Sequence, residues 1–304
     1  MGKIVVVGSS NNDLVVNVGR APSAGETVFG QSFMVNPGGK GANQAVAVAR
    51  IGGSVSFVTK VGDDLFGKQM KQHFLDEGID LSHVLTDSNA PTGTALITVE
   101  DSGENRIIVV SGANASLSVS DIDDAVGLID ECDIVLVQLE IPLPTVEHVA
   151  ELAASRGKRL ILNPAPACAL SDKLLGCVSL ITPNETEAEI LTGIKVTDES
   201  SASRAVDFFL GKGVQQVVIT LGSSGAFVGT RDVRTLVPAY KVNAVDTTAA
   251  GDVFNGALAV SLSEGRSLLE AVRFATAASA IAVTRRGAQS SVPVRSEVDD
   301  LLSK

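Results

Sequence analysis

The chain has no tryptophan, one tyrosine and ten phenylalanines among its 304 residues. It therefore offers little surface for stacking on nucleic-acid bases. Positive charge is also scarce: 24 Lys and Arg stand against 35 Asp and Glu, a net charge of −11. A protein that binds phosphate backbones carries a basic face, so no nucleic-acid partner is expected. Small anions remain possible ligands, because backbone amides at a helix start bind them whatever the global charge. Cys132, Cys168 and Cys177 are odd in number and form no C-x-x-C pair, which argues against a disulfide framework or a zinc site and predicts a reduced, cytoplasmic setting. No apolar run approaches the ~20 residues of a membrane span, so no membrane association is expected. The apolar core of Met1 to Gly8 is too short for a signal peptide, and position 6 lacks the Ser or Thr of a myristoylation site. His73, His83 and His148 are scattered without ligand spacing. Gly8-Ser9-Ser10-Asn11 completes no dinucleotide fingerprint, no P-loop occurs, and Gly222-Ser223-Ser224-Gly225 is not a nucleophile elbow.

What is present is an alternation. Short β-branched runs (Ile4 to Val7, Val55 to Val58, Ile134 to Val137, Leu160 to Leu162, Leu180 to Ile181, Val217 to Ile219) are separated by Ala- and Leu-rich helical stretches. That rhythm predicts an α/β fold, a Rossmann-like, mostly parallel sheet sandwiched by helices. Two segments break it. Asp13 to Asn36 and Thr94 to Val110 read as hairpins that either pair into a small β-sheet lid, which would need a partner surface for its apolar face, or stand as two unrelated surface hairpins. The expected division is an α/β core of residues 1–12, 37–91 and 112–304 and a lid of residues 13–36 and 92–111.

In open parallel sheets ligands bind beyond the carboxyl ends of the strands. The residues there are Ser9 to Asp13, Gln138 to Glu140, Asn163, Thr182 to Glu185 and Thr220 to Ser223, a set of amides, carboxylates and hydroxyls suited to a polyol. The run Ala244 to Val260, "AVDTTAAGDVFNGALAV", sets Asp252 behind the small residues Ala249, Ala250 and Gly251. Asp252 reads as a helix cap. It reads equally as a general base beside an anion held by backbone amides and the positive end of a helix.

Two stretches, "GGKGANQAVAVARIG" (Gly38 to Gly52) and "VDTTAAGDVFNGAL" (Val245 to Leu258), resemble the two signatures of the ribokinase (PfkB-type) carbohydrate kinase family. "NPAPA", "ITPNETEAEILTG", "VVITLGSSG" and "AIAVTRRGAQSSVP" also match the family in order and spacing, from about Ile4 to Val294. The resemblance implies phosphoryl transfer from ATP to O5 of D-ribose. Asp252 is then the base, with Ala249, Ala250 and Gly251 as the anion hole. It implies sugar contacts at Asn11, Asp13, Gly39, Lys40, Gly41, Asn43 and Glu140, and nucleotide contacts at Asn184, Thr220, Gly222, Ser223, Gly225, Gly251 and Thr276. It also implies Mg²⁺ near Asn184 and Glu187, through water, and K⁺ at Asp246, Thr248, Ala282, Arg285, Gly287 and Ser291. A homodimer through the lid sheet is expected. Taken from the residues alone, Asn184 to Glu187 is a helix cap with an acidic first turn, Asp246 a turn cap and Arg285-Arg286 a solvated pair. A related kinase acting on deoxyribose, fructose or a nucleoside is the alternative, and a non-catalytic sugar-binding protein a further one.

Overall fold

The computed structural model describes residues 2–303. Met1 and Lys304, the outer ends of the expected core segments, lie outside the described residues.

The chain opens with β1 (Lys3–Val7), β2 (Asn11–Val18) and β3 (Gly30–Gly38). Helix α1 (Lys40–Arg50), β4 (Ser54–Gly62), α2 (Leu65–Asp76) and β5 (Val84–Asp87) follow, then β6 (Gly93–Glu100) and β7 (Asn105–Val110). After α3 (Val119–Asp124) and α4 (Val126–Glu131), strands and helices alternate: β8 (Ile134–Val137), α5 (Leu143–Ser155), β9 (Arg159–Leu162), α6 (Asp172–Cys177), β10 (Leu180–Ile181), α7 (Glu185–Thr192), α8 (Glu199–Gly211) and β11 (Gln216–Thr220). The hairpin of β12 (Ala226–Gly229) and β13 (Arg234–Val237) precedes α9 (Ala250–Ser263), α10 (Leu268–Ala282) and α11 (Arg295–Leu302).

Nine strands form one sheet in the order β13-β12-β11-β10-β9-β8-β1-β4-β5. From β11 to β5 every pairing is parallel; the β12–β13 hairpin alone adds antiparallel ladders. Its central strands are uninterrupted apolar runs because both faces are covered. Ile4 and Val6 join a core with α1, α2, α9, α10 and α11, while Val5 and Val7 join another with α3 to α8. This is the expected α/β sandwich. Chain order reverses at β1, which lies between β8 and β4, so the ligand crevice of such a sheet opens there.

A second sheet, β3-β2-β6-β7, is antiparallel at its edges and parallel between β2 and β6. The two hairpin segments therefore meet. β2 begins at Asn11 and β3 runs on to Gly38, so both strands reach into residues expected to belong to the core. Pro37 is accommodated because β3 is an edge strand, where a missing N–H breaks no inner ladder. Val35, Leu14, Leu96 and Ile108 lie side by side across the sheet. The neighbouring row, Asn36, Asp13, Ala95 and Val109, points to the opposite face. No helix among the described residues is long and apolar enough to cross a membrane.

Candidate active site

Helix α9 begins behind Ala249, whose φ of 58° makes it the one non-glycine residue with positive φ among the described residues. Asp252 sits in the first turn and is 5% exposed. It is not a cap. No side chain caps α9; the carboxylate is held from across the core, where Asn43 Nδ2 donates to Oδ2 at 2.8 Å and Gln44 Nε2 donates to Oδ1 at 2.9 Å. Both amides come from α1, which packs so closely on α9 that a Cβ added to Gly256 would stand 2.5 Å from the Ala47 Cβ. That approach brings side chains far apart in sequence within reach of Asp252, and tertiary packing overrides the local capping preference.

Of the three residues expected to form an anion hole, Ala250 spends its amide on Thr247 O at 3.2 Å. The Ala249 and Gly251 amides have no protein acceptor among the described residues. Gly251 is exposed, and Asn255 Nδ2 donates to its carbonyl at 2.8 Å, orienting the peptide.

Four carboxylates surround one ammonium. Burial raises the Asp252 carboxyl above the ordinary range against the pull of Lys40, Asn43 and Gln44, and Glu140 adds to the rise. Burial, with Glu140 and Asp252, pushes Asp13 up to about 7. Burial likewise raises Glu187, although the Asn184 amide and Lys40 oppose it. Burial alone would depress Lys40; Asp252, Glu140, Glu187 and Asp13 together hold it above its ordinary value. The structure therefore brings Asp13, Lys40, Glu140, Glu187 and Asp252 into one electrostatic unit.

The expected sugar residues gather where β1, β2 and α1 meet. Glu140 Oε2 accepts from Ser9 Oγ at 2.6 Å and from the Lys40 amide at 3.0 Å. Gly39 precedes α1 with φ 89°. Gly41 packs on β1 so tightly that a Cβ there would lie 2.6 Å from the Gly8 carbonyl carbon. Asn43 has both ends of its amide engaged, donating to Asp252 and accepting from Gln289 Nε2 at 3.1 Å. A cavity of about 390 Å³ opens beside this group, lined by Asn11, Asn114 and Glu140 and by Val109 of the small sheet, Ile141 and Pro166.

A cavity of about 450 Å³ lies at the α9 N-terminus. Thr220, Gly222, Ser223, Gly225, Gly251 and Thr276 all line it; Asn184 instead bridges Thr220 at the adjacent strand end. Its walls include the aliphatic Val242, Ala280 and Val283. Tyr240 and Phe254 also line it.

The Asn184–Glu187 pair forms a reciprocal cap: Glu187 N donates to Asn184 Oδ1 at 2.8 Å and Asn184 N to Glu187 Oε2 at 2.9 Å. Glu187 Oε1 has no hydrogen bond among the described residues, so the cap leaves oxygen free for a hydrated divalent ion. Asp246 ties two loops together, accepting from Thr248 N at 2.9 Å and Gly287 N at 2.8 Å. Ser291 Oγ donates to Ala288 O at 2.7 Å, the Ala282 carbonyl accepts from Arg285 N at 3.0 Å, and the Arg285 guanidinium pairs with Glu297. The donors thus left are a carboxylate, carbonyls and a hydroxyl, an all-oxygen set that fits a hard cation.

The model of the pfkB family carbohydrate kinases matches residues 1–295. The chain belongs to that family. It is 48% identical to the ribokinase of Haemophilus influenzae over 98% of each chain. The structure is similar to that of Thermotoga maritima ribokinase, with a TM-score of 0.92 and 42% identity over 100% of both chains. It is also similar to Arabidopsis thaliana ribokinase complexed with ribose and ATP, with a TM-score of 0.94 and 35% identity over 100% of this chain and 99% of that one.

Sequence reasoning missed Gln44, Gln289 and Asn114. Gln44, itself 0% exposed, was the most legible of these, as a polar residue leading the Ala- and Val-rich run of α1. The nucleotide-side walls Ala239 to Val242 were missed as well; they follow β13 in an irregular segment with no distinguishing motif.

Proposed function

We propose that this chain is an ATP-dependent ribokinase, converting D-ribose and ATP to D-ribose 5-phosphate and ADP. The observation that carries this reading is the position of Asp252. Its buried carboxylate, oriented by two amides, follows directly on Gly251, which lines the nucleotide-side cavity, and is coupled electrostatically to Glu140, which lines the sugar-side cavity. Asp252 takes the proton of the ribose O5 hydroxyl as that oxygen attacks the γ-phosphorus. The bond to the β–γ bridging oxygen breaks, and ADP departs with the electron pair. The Gly251 amide and the positive end of α9 hold the negative charge on the transferred group. Asn11, Asp13, Gly39, Lys40, Gly41, Asn43 and Glu140 hold the sugar.

Glu187 and Asn184 would hold Mg²⁺ through water, where the ion supplies neutralising charge to the phosphates. Asp246, Thr248, Ala282, Arg285, Gly287 and Ser291 would hold K⁺ and order the loop before α9. The small sheet acts as a lid that excludes water, the competing acceptor, and its outer apolar row pairs with a second copy. A cytoplasmic setting accords with the three free cysteines.

The test is ADP release from ATP and Mg²⁺ with ribose, 2-deoxyribose, fructose or adenosine, with and without K⁺. Ribose is expected to be preferred and K⁺ to activate. Asp252→Asn is expected to lower kcat by ~10²–10⁴; turnover near wild type in the folded variant overturns the reading.

A further inference from the structure

The Asp252 carboxylate is the inner end of a hydrogen-bond chain that leaves the site altogether. Asn43 Nδ2 donates to it at 2.8 Å, Gln289 Nε2 donates to Asn43 Oδ1 at 3.1 Å, and His73 Nε2 lies 2.6 Å from Gln289 Oε1. Asn43 is 6% exposed and Gln289 1%, while the His73 side chain on α2 reaches 26%. Every donor and acceptor follows from the first. A carboxylate only accepts, so Asn43 must present its NH₂ to Asp252 and its carbonyl to Gln289. Gln289 must then present its NH₂ to Asn43 and its carbonyl to His73, which leaves His73 as donor through Nε2–H. The outer links are anchored. Arg50 Nη1 donates to the backbone carbonyl oxygen of Gln289 at 2.6 Å, and Arg50 itself pairs with Glu77.

We propose that Gln289 is a positioning residue for Asp252, acting through Asn43, with the tautomer of His73 reporting the sense of the chain. An asparagine amide has two near-equivalent orientations related by a half turn. Flipped, Asn43 would set its carbonyl oxygen against the Asp252 carboxylate. Gln289, a donor at the far end, excludes that orientation, so the base keeps the rotamer in which it meets the sugar hydroxyl. This inference rests on the kinase reading for its kinetic consequence and on the fold alone for its spectroscopic one.

Long-range ¹H–¹⁵N spectra of the wild-type protein without ligands test the second. Neutral His73 is expected as the Nε2–H tautomer; a proton on Nδ1 overturns the proposal whatever reaction the protein catalyses. Gln289→Glu keeps an acceptor for His73 but removes the donor to Asn43. It is expected to retain the tautomer while kcat falls roughly 3- to 30-fold, with KM for ribose within about twofold, the signature of a lost transition-state contribution. Gln289→Leu removes both links and is expected to lose the tautomer preference and the same share of kcat. Wild-type kcat in Gln289→Glu, or a rise in KM at constant kcat, overturns it.

Discussion

Asn114 Nδ2 donates to Asn11 Oδ1 at 2.7 Å, and Asn114 Oδ1 in turn accepts the Ser10 amide at 2.8 Å. A backbone N–H can only donate, so both amides have an assigned sense, and Asn11 shows donors alone to the sugar-side cavity. Asn114→Asp removes the donor that occupies Asn11 Oδ1. Asn11 then turns to donate to the new carboxylate and shows an acceptor to the sugar instead. The expected outcome is a fall of about 10- to 100-fold in kcat/KM for ribose, the worth of a mispaired buried group, with a smaller fall for 2-deoxyribose. Equal losses for both sugars would leave Asn114 a purely structural residue.

Asp13 gives the protein a pH dependence of definite sign. Its carboxyl is raised from 3.8 to about 7 by burial and by Glu140 and Asp252, so the native state favours the protonated form. The resulting stability is complete below about pH 4 and is lost as pH rises through 7. Raising the pH from 5 to 8 is expected to lower the Tm of the ligand-free wild type more than that of Asp13→Asn, as read by calorimetry. In the kinase reading the ionised form accepts from sugar hydroxyls, so KM for ribose should climb as pH falls below 7.

Ala249 adopts the left-handed region at a cost of about 1–2 kcal/mol for a residue with a Cβ. Ala249→Gly relieves that strain and loses roughly 0.5–1 kcal/mol to unfolded-state freedom; stability should therefore change little. Ala249→Val puts a branched side chain at the same φ and is expected to lower both Tm and kcat, since the turn that presents the Gly251 amide must give way. Equal thermal stability of the valine and glycine variants would contradict this.

The outer row of the small sheet exposes Val35 at 42%, Leu96 at 45% and Ile108 at 64%. Sedimentation equilibrium at tens of micromolar is expected to give a dimer for the wild type and a monomer for Ile108→Lys. A monomeric wild type at that concentration would remove the proposed interface.

The central sheet was legible because its strands are covered on both sides, which turns each into an unbroken β-branched run. The α1 and α9 ends were legible because their chemistry is local: Gly39 to Asn43 and Ala249 to Asp252 are contiguous. Gln289 and Asn114 were not, because each acts on a residue more than a hundred positions away, and no neighbouring residue marks it. The cap reading of Asp252 arose for a related reason. Local preference favours Asp at a helix start, but α1 supplies side-chain amides that only the packed fold brings near. The reach of β3 through Pro37 was also hidden, since only pairing order reveals that the proline stands on an edge.

Tyr240 lines the nucleotide-side cavity, and the chain has no other tyrosine and no tryptophan. Tyrosine-band ultraviolet emission therefore has a single source, placed on the wall of one pocket. Occupancy of that pocket can be followed by light from the unlabelled wild-type protein, and the sugar-side cavity contributes no fluorophore of this kind to confuse the signal.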